Sequence, residues 1–241
     1  MKQNIYDNPE FFEAYKDLRD QDKGLNELLE QPVMKRLMYN ANGKSILDIG
    51  CGFGHQIQAV LEQNPIAITG IDISEKMIAE AKRRLNDSRV SLQCTAIEDY
   101  TIKPKTFDIV ISSMALHYIE DIKPLLHKIY EGLNNKGQFL FSVEHPVCTA
   151  SQNGWKEVNG SPSWLLNQYG KEGIRKQNWF VDGVIKYHRK LSTLVNELSE
   201  AGFCIKNIEE PTPDEALLIS RPDFRLHVER PPIVIFNCIK E

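Results

Sequence analysis

Apolar positions change their spacing several times along the chain. Phe11, Phe12, Tyr15 and Leu18 recur at helical intervals, as do Leu25, Leu28 and Leu29 and then Val33, Leu37 and Met38, which predicts two helices over 8–39. Gly43 breaks that pattern, and SILDIG at 45–50 is a short apolar run of the kind a buried strand shows. From there strands and helices alternate. Strands are predicted at 67–73, 90–96, 107–113 and 137–145, and helices at 55–63, 74–87 and 121–133, with Ser74 as an N-cap. Alternation at this spacing builds βαβ units and a parallel sheet covered on both faces. Residues 146–186 show little periodicity but hold all three tryptophans, an aromatic content that argues against disorder and for function. A helix over 187–202 closed by Gly202, a strand from 203, a Pro-containing connection at 211–230 and a strand at 232–240 complete the chain.

The composition fits this reading. The chain has 241 residues, 41% hydrophobic and 26% charged, with 29 basic and 33 acidic residues for a formal charge of −4. A protein that binds nucleic acid by neutralising phosphates carries a basic surplus, so that class is disfavoured. The five cysteines are widely spaced without a C-x-x-C pair, which points to a reducing compartment and away from disulfides or zinc; no metal ligand set is expected. The start is charged and interrupted by Pro9, and no apolar run has membrane-spanning length, so a cytoplasmic protein without a membrane partner is expected.

The most informative segment is ILDIGCGFGH, residues 46–55. Gly50, Gly52 and Gly54 lie between a predicted strand and a predicted helix, where backbone can approach a ligand closely and helix N–H groups point at it. At the end of the next strand stands Asp72, placed to accept hydrogen bonds from two ribose hydroxyls. A dinucleotide fingerprint would need glycine at 55, where His55 stands. A turn reading GxGxG, preceded by Asp48, instead resembles the class I S-adenosylmethionine-dependent methyltransferases, closely over residues 45–145.

The resemblance implies a fold, a cofactor and a set of contacts. The fold is α/β: a Rossmann-like, seven-stranded, mostly parallel sheet with an antiparallel last strand and helices on both faces. Residues 1–42 would be an N-terminal helical cover and 43–241 the methyltransferase domain, with 146–186 a substrate-specificity insertion. The cofactor would be S-adenosylmethionine. Its methionine part would lie on Gly50, Cys51, Gly52 and Gly54, its ribose on Asp72, and its adenine on Ile73, Ala96 and Ile97. A carboxylate would reach the adenine amine from Glu98 or Asp99, of which Glu98 stands nearer. Ser112, Ser113 and Met114 would flank the methionine end, and Tyr15 and Arg19, four residues apart on one helix face, would reach its carboxylate.

The implied reaction is methyl transfer by in-line displacement, in which the enzyme mainly supplies alignment. An acceptor that must lose a proton needs a base, and histidine is the commonest. His145, directly after the fifth strand, is the candidate, with His188 as the alternative; of the neighbours Glu144 and His145, one should face the cleft and the other away. His117, Trp155, Trp164 and Trp179 are the candidates for contact with a small-molecule acceptor, the aromatics forming a lid, a satellite core or a dimer contact. A monomer or homodimer is expected. A nucleic-acid methyltransferase and a non-catalytic cofactor-binding protein are the alternative readings. SSMA after the fourth strand lacks the (Asp/Asn)-Pro-Pro-aromatic motif of base-amine methylases.

Overall fold

The computed structural model describes residues 2–21 and 24–241. The N-terminal cover consists of α1 (Pro9–Asp20) and a π-helical turn, Asn26–Glu30, that runs into α2 (Gln31–Leu37). Asn8 starts α1: its side chain accepts from the Phe11 N–H at 3.1 Å, and Pro9 occupies a first-turn position where its missing N–H costs nothing. The sheet domain then alternates β1 (Ser45–Ile49), α3 (His55–Leu61), β2 (Ala67–Asp72), α4 (Glu75–Arg84), β3 (Val90–Cys94), β4 (Phe107–Ser112), α5 (Lys123–Gly132) and β5 (Leu133–Glu144). Ser74 caps α4 as expected, accepting from the Met77 N–H at 3.1 Å.

Residues 146–186 are more regular than their pattern suggests. They hold α6 (Pro146–Ala150), the hairpin β6 (Trp155–Val158) and β7 (Ser161–Trp164), and β8 (Gly173–Trp179) paired with β9 (Val181–His188). Each is a two-stranded ribbon with much of its surface exposed, so the apolar alternation that reveals a half-buried strand is absent. One signal was present: Asn159 and Gly160 both take positive φ, the two-residue turn that twists a tight hairpin correctly. The strand β9 runs through His188, so the next helix, α7 (Leu191–Glu200), begins later than its periodicity predicts. After β10 (Phe203–Glu209), the connection folds into α8 (Glu215–Ser220), a 3₁₀ turn and α9 (Leu226–Glu229) before β11 (Ile233–Lys240).

The seven strands lie in the order β3-β2-β1-β4-β5-β11-β10. The first five are parallel, and β11 runs antiparallel to both β5 and β10. Alternate residues feed two cores. Leu47, Val110, Phe139, Phe141 and Phe236 face α5 and α7; Ile46, Ile68, Ile109, Leu140 and Ile235 face α2 and α3. The chain leaves β1 for β2 on one side, and β4 lies on the other. The carboxyl ends of β1 and β4 therefore frame the crevice where open α/β sheets bind ligands. No described helix is long and apolar enough to cross a membrane.

Gly202 lies one residue beyond the C-cap of α7, at φ +98°, with its N–H on the Ser199 carbonyl at 3.0 Å. A Cβ there would stand 2.9 Å from the Tyr130 ring. Gly202→Ala is expected to cost about 1–2 kcal/mol, a fall in Tm of roughly 2–8 °C; a thermal melt that leaves Tm unchanged contradicts this account of the turn.

Candidate active site

The carboxyl ends of β1, β2, β4 and β5 open into a cavity of about 860 Å³. Its floor is the turn between β1 and α3. The Gly50 and Cys51 N–H groups both donate to the Ile71 carbonyl, at 2.8 and 3.0 Å, which pins the turn against β2. Gly52 takes φ +52°, and a Cβ on it would meet no atom within 4 Å, so its backbone faces open space. Gly54 differs: a Cβ there would lie 2.5 Å from Leu85, and the residue does not border the cavity. Its place is the close approach of the start of α3 to Ala81 of α4 and its C-cap Leu85, a correction to the sequence-based expectation of a ligand contact.

Three carboxyl groups stand around this floor, Asp48 and Glu30 buried and Asp72 half-buried. Asp72 accepts from the Gly52 N–H at 3.0 Å through Oδ2 and from the Ser74 N–H at 2.9 Å through Oδ1. Each oxygen keeps a further lone pair. Burial pushes its pKa up in spite of those bonds. Asp48 is 1% exposed, and neither carboxyl oxygen has a hydrogen-bond partner among the described residues. Burial, then the charges of Asp72 and Glu30, push it up to about 8. Glu30 comes from the π-helical turn. It is fully buried and accepts from Ser113 Oγ at 2.6 Å and Asn26 Nδ2 at 2.9 Å, and from Ser142 Oγ. Burial raises it against those bonds.

The roof is made by the N-terminal segment and the β8–β9 ribbon. Asp7 accepts from Ser74 Oγ at 2.6 Å and from the Lys76 and Glu75 N–H groups at 3.1 and 3.3 Å, so it clamps the segment onto the N-terminus of α4. An anion is favoured at that helix end. Burial opposes ionisation of Asp7, but the bonds from Ser74 and Lys76 hold it below the usual carboxylate range. Tyr6 packs edge-on against Phe11 and Tyr15 at 4.9 and 5.1 Å, and Trp179 meets Phe11 and Tyr15 at 5.3 and 5.9 Å. This cluster joins the cover to the ribbon directly above the cavity.

Most of the residues singled out in the sequence meet here. Tyr15, Arg19, Gly50, Cys51, Gly52, Asp72, Ile73, Ala96, Ile97, Glu98, Ser113, Met114, His117 and Trp179 all border the cavity. Arg19 is ion-paired with Glu27. Asp99 is exposed and bonds Lys2, which leaves Glu98 as the cavity-facing acid. Ser112 is not brought in: strand alternation turns it into the sheet, where its hydroxyl donates to the Ile49 carbonyl at 3.0 Å.

Neither histidine proposed as a base reaches the cavity. His145 Nδ1 accepts from the Val147 N–H at 3.1 Å, which caps α6, and Nε2 lies 2.6 Å from Glu210. His188 is fully buried between Thr149 Oγ1 at 2.7 Å and the Tyr169 carbonyl at 2.9 Å. Burial lowers the pKa of both, so each is a neutral, structural group at pH 7. Glu144, the neighbour of His145, is the one that faces the cleft, 2.6 Å from Lys186. Trp155 and Trp164 also lie outside the cavity wall: they pack on each other at 5.3 Å and on the Arg230 guanidinium. Of the three tryptophans only Trp179 lines the site.

Sequence reasoning missed Asp7, Glu30 and Arg230. Glu30 did carry a signal, a carboxylate set among the apolar positions of a predicted helix. Arg230 carried none, because its connection showed no period.

The sequence matches the methyltransferase-domain family over residues 46–137. It is 36% identical to an uncharacterised protein of Haemophilus influenzae, across 99% of this chain and 98% of that one. It is 31% identical to a malonyl-[acyl-carrier protein] O-methyltransferase of Priestia megaterium, across 59% of this chain and only half of that protein's length. The crystal structure of an S-adenosylmethionine-dependent methyltransferase from Mesorhizobium loti superposes with a TM-score of 0.84 at 32% identity, covering 90% of this chain and 99% of that one. With its sheet order, glycine turn and acidic strand end, the chain belongs to the class I S-adenosylmethionine-dependent methyltransferases.

Proposed function

We propose that the chain transfers the methyl group to a small-molecule acceptor by direct in-line displacement. The observation that carries this reading is the roofed cavity, whose volume lies in the ~300–1,000 Å³ range of small-ligand sites. When bound, S-adenosylmethionine supplies an electrophilic methyl on a cationic sulfonium. The residues present fit such a group. The open face of Gly52 admits close backbone contact, and the remaining lone pairs of Asp72 suit two ribose hydroxyls. Asp48, pushed up to about 8 by burial, borders the cavity and would ionise against an entering ammonium or sulfonium, with Glu30 buried behind Ser113.

In this reading Ile73, Ala96 and Ile97 hold the adenine and Glu98 its amine. Tyr15 and Arg19 reach the cofactor carboxylate, while Gly50, Cys51, Ser113 and Met114 flank its methionine end. Residues 1–42 close the cofactor side, and the 146–186 insertion closes the acceptor side through Trp179. The aromatic contacts of the roof exclude water, so that alignment of acceptor and methyl is the main source of rate. A polymeric acceptor is disfavoured by this roof and by the formal charge of −4.

The acceptor class is tested by incubating the protein with methyl-labelled cofactor and separate pools of cell metabolites and nucleic acids. Label is expected in the metabolite pool, and label confined to the nucleic-acid pool overturns the proposal. Asp72→Ala should weaken cofactor binding by about 10–100-fold, as expected for the loss of charged hydrogen bonds. Calorimetry that finds an unchanged Kd removes Asp72 from the ribose role.

A further inference from the structure

The far end of the cavity, beyond β5 and β11, has a different character from the acidic cofactor end. Glu144, Lys186, Arg221, His227 and Arg230 line it. Two of the cations there are matched by carboxylates: Lys186 with Glu144 at 2.6 Å, and Arg221 with Asp223 at 2.7 Å. Arg230 has no carboxylate partner among the described residues. Its Nη1 donates to Cys148 Sγ at 3.0 Å, a poor acceptor, and its Nη2 to His227 Nδ1 at 3.0 Å. Its Nε is buried and bonded to nothing.

The guanidinium is also held in place. It lies over the ring of Trp164 at 4.2 Å and that of Trp155 at 5.4 Å, and Trp164 is itself tied to the Val147 carbonyl through Nε1 at 2.9 Å. Pro231 and Pro232 follow immediately and stiffen the entry to β11. Because arginine only donates, His227 Nδ1 must be the acceptor, which places the ring proton on Nε2 as a further donor. The half-buried guanidinium borders the cavity without a carboxylate partner among the described residues, and a rigid fork of donors matches the two oxygens of an oxyanion.

We infer that the methyl acceptor carries an oxyanion, a carboxylate or a phosphate, and that Arg230 with His227 is its docking point. The inference rests on the proposed transfer to a small acceptor and names the chemical class of that acceptor. It also assigns the paired tryptophans a part in the site: they carry the guanidinium rather than touch the acceptor.

Trp155 and Trp164 report on the experiment, since their indoles contact the group concerned. The full chain is titrated with malonate and, separately, with inorganic phosphate at constant ionic strength, following tryptophan emission. A saturable change is expected with at least one, and the tighter of the two identifies the source as carboxylate or phosphate. Arg230→Gln should weaken that affinity by at least about tenfold, while Arg230→Lys, which keeps the charge but not the fork, recovers part of it. Both variants should bind S-adenosylmethionine as the unaltered chain does.

A second measurement needs no variant. Label from the cofactor should appear in metabolites retained on an anion exchanger. Anion affinity unchanged in Arg230→Gln, no saturable response to either anion, or label confined to the unretained fraction would each overturn the inference. Failure of the unaltered chain to bind S-adenosylmethionine would instead remove the methyl-transfer reading beneath it.

Discussion

Asp48, Asp72 and Glu30 are three carboxyl groups gathered at one edge of the sheet, the first and last fully buried and Asp72 half-buried, without an ion-pair partner among the described residues. Burial of a charge is unfavourable unless something offsets it. For Asp72 and Glu30 the offset is hydrogen bonding, from two backbone N–H groups in one case and from Ser113, Ser142 and Asn26 in the other. Asp48 has none among the described residues, and a pKa pushed up to about 8 favours its neutral form at pH 7. A cationic ligand would resolve the same problem by restoring the charge and pairing with it. The fold around this edge serves that arrangement: β1 and β2 end there, the turn at 50–54 exposes backbone there, and the π-helical turn carries Glu30 in from the cover.

The cavity is therefore electrically divided. The end at β1 and β2 is acidic, and the cations that border it, Arg19 and Lys2, are engaged by Glu27 and Asp99. The end beyond β5 and β11 holds the Arg230 guanidinium fixed on two indoles, with no carboxylate bonded to it among the described residues. Between them the roof is aromatic, and the joint of Trp179 with Phe11 and Tyr15 connects the two attachments of the sheet domain. Asp7 secures the same roof to α4 by bonds that hold it ionised.

The parts legible in the sequence are those with a strong local period or a steric requirement. Buried parallel strands appear as apolar runs, Ser74 is visible as a cap, and the glycines with Asp72 mark the floor of the site. What stayed hidden depends on direction rather than residue type. Ser112 and Ser113 are neighbours of the same type, yet strand alternation sends one hydroxyl to Ile49 and the other to Glu30. Glu144 and His145 divide in the same way, and the histidine caps α6 instead of facing the cleft. The ribbons at 155–164 and 173–188 are too exposed to show a period, so which tryptophan lines the cavity could not be read from their number.

Asp48, buried and with its pKa pushed up to about 8, is expected to become charged when a cation enters the site. A group protonated in the free protein and ionised in the complex must release its proton on binding. Calorimetric titration of the protein with S-adenosylmethionine at pH 7, repeated in buffers of different ionisation enthalpy, measures that release. Release of close to one proton is expected, abolished in Asp48→Asn. A binding enthalpy independent of buffer, at unchanged affinity, would contradict it.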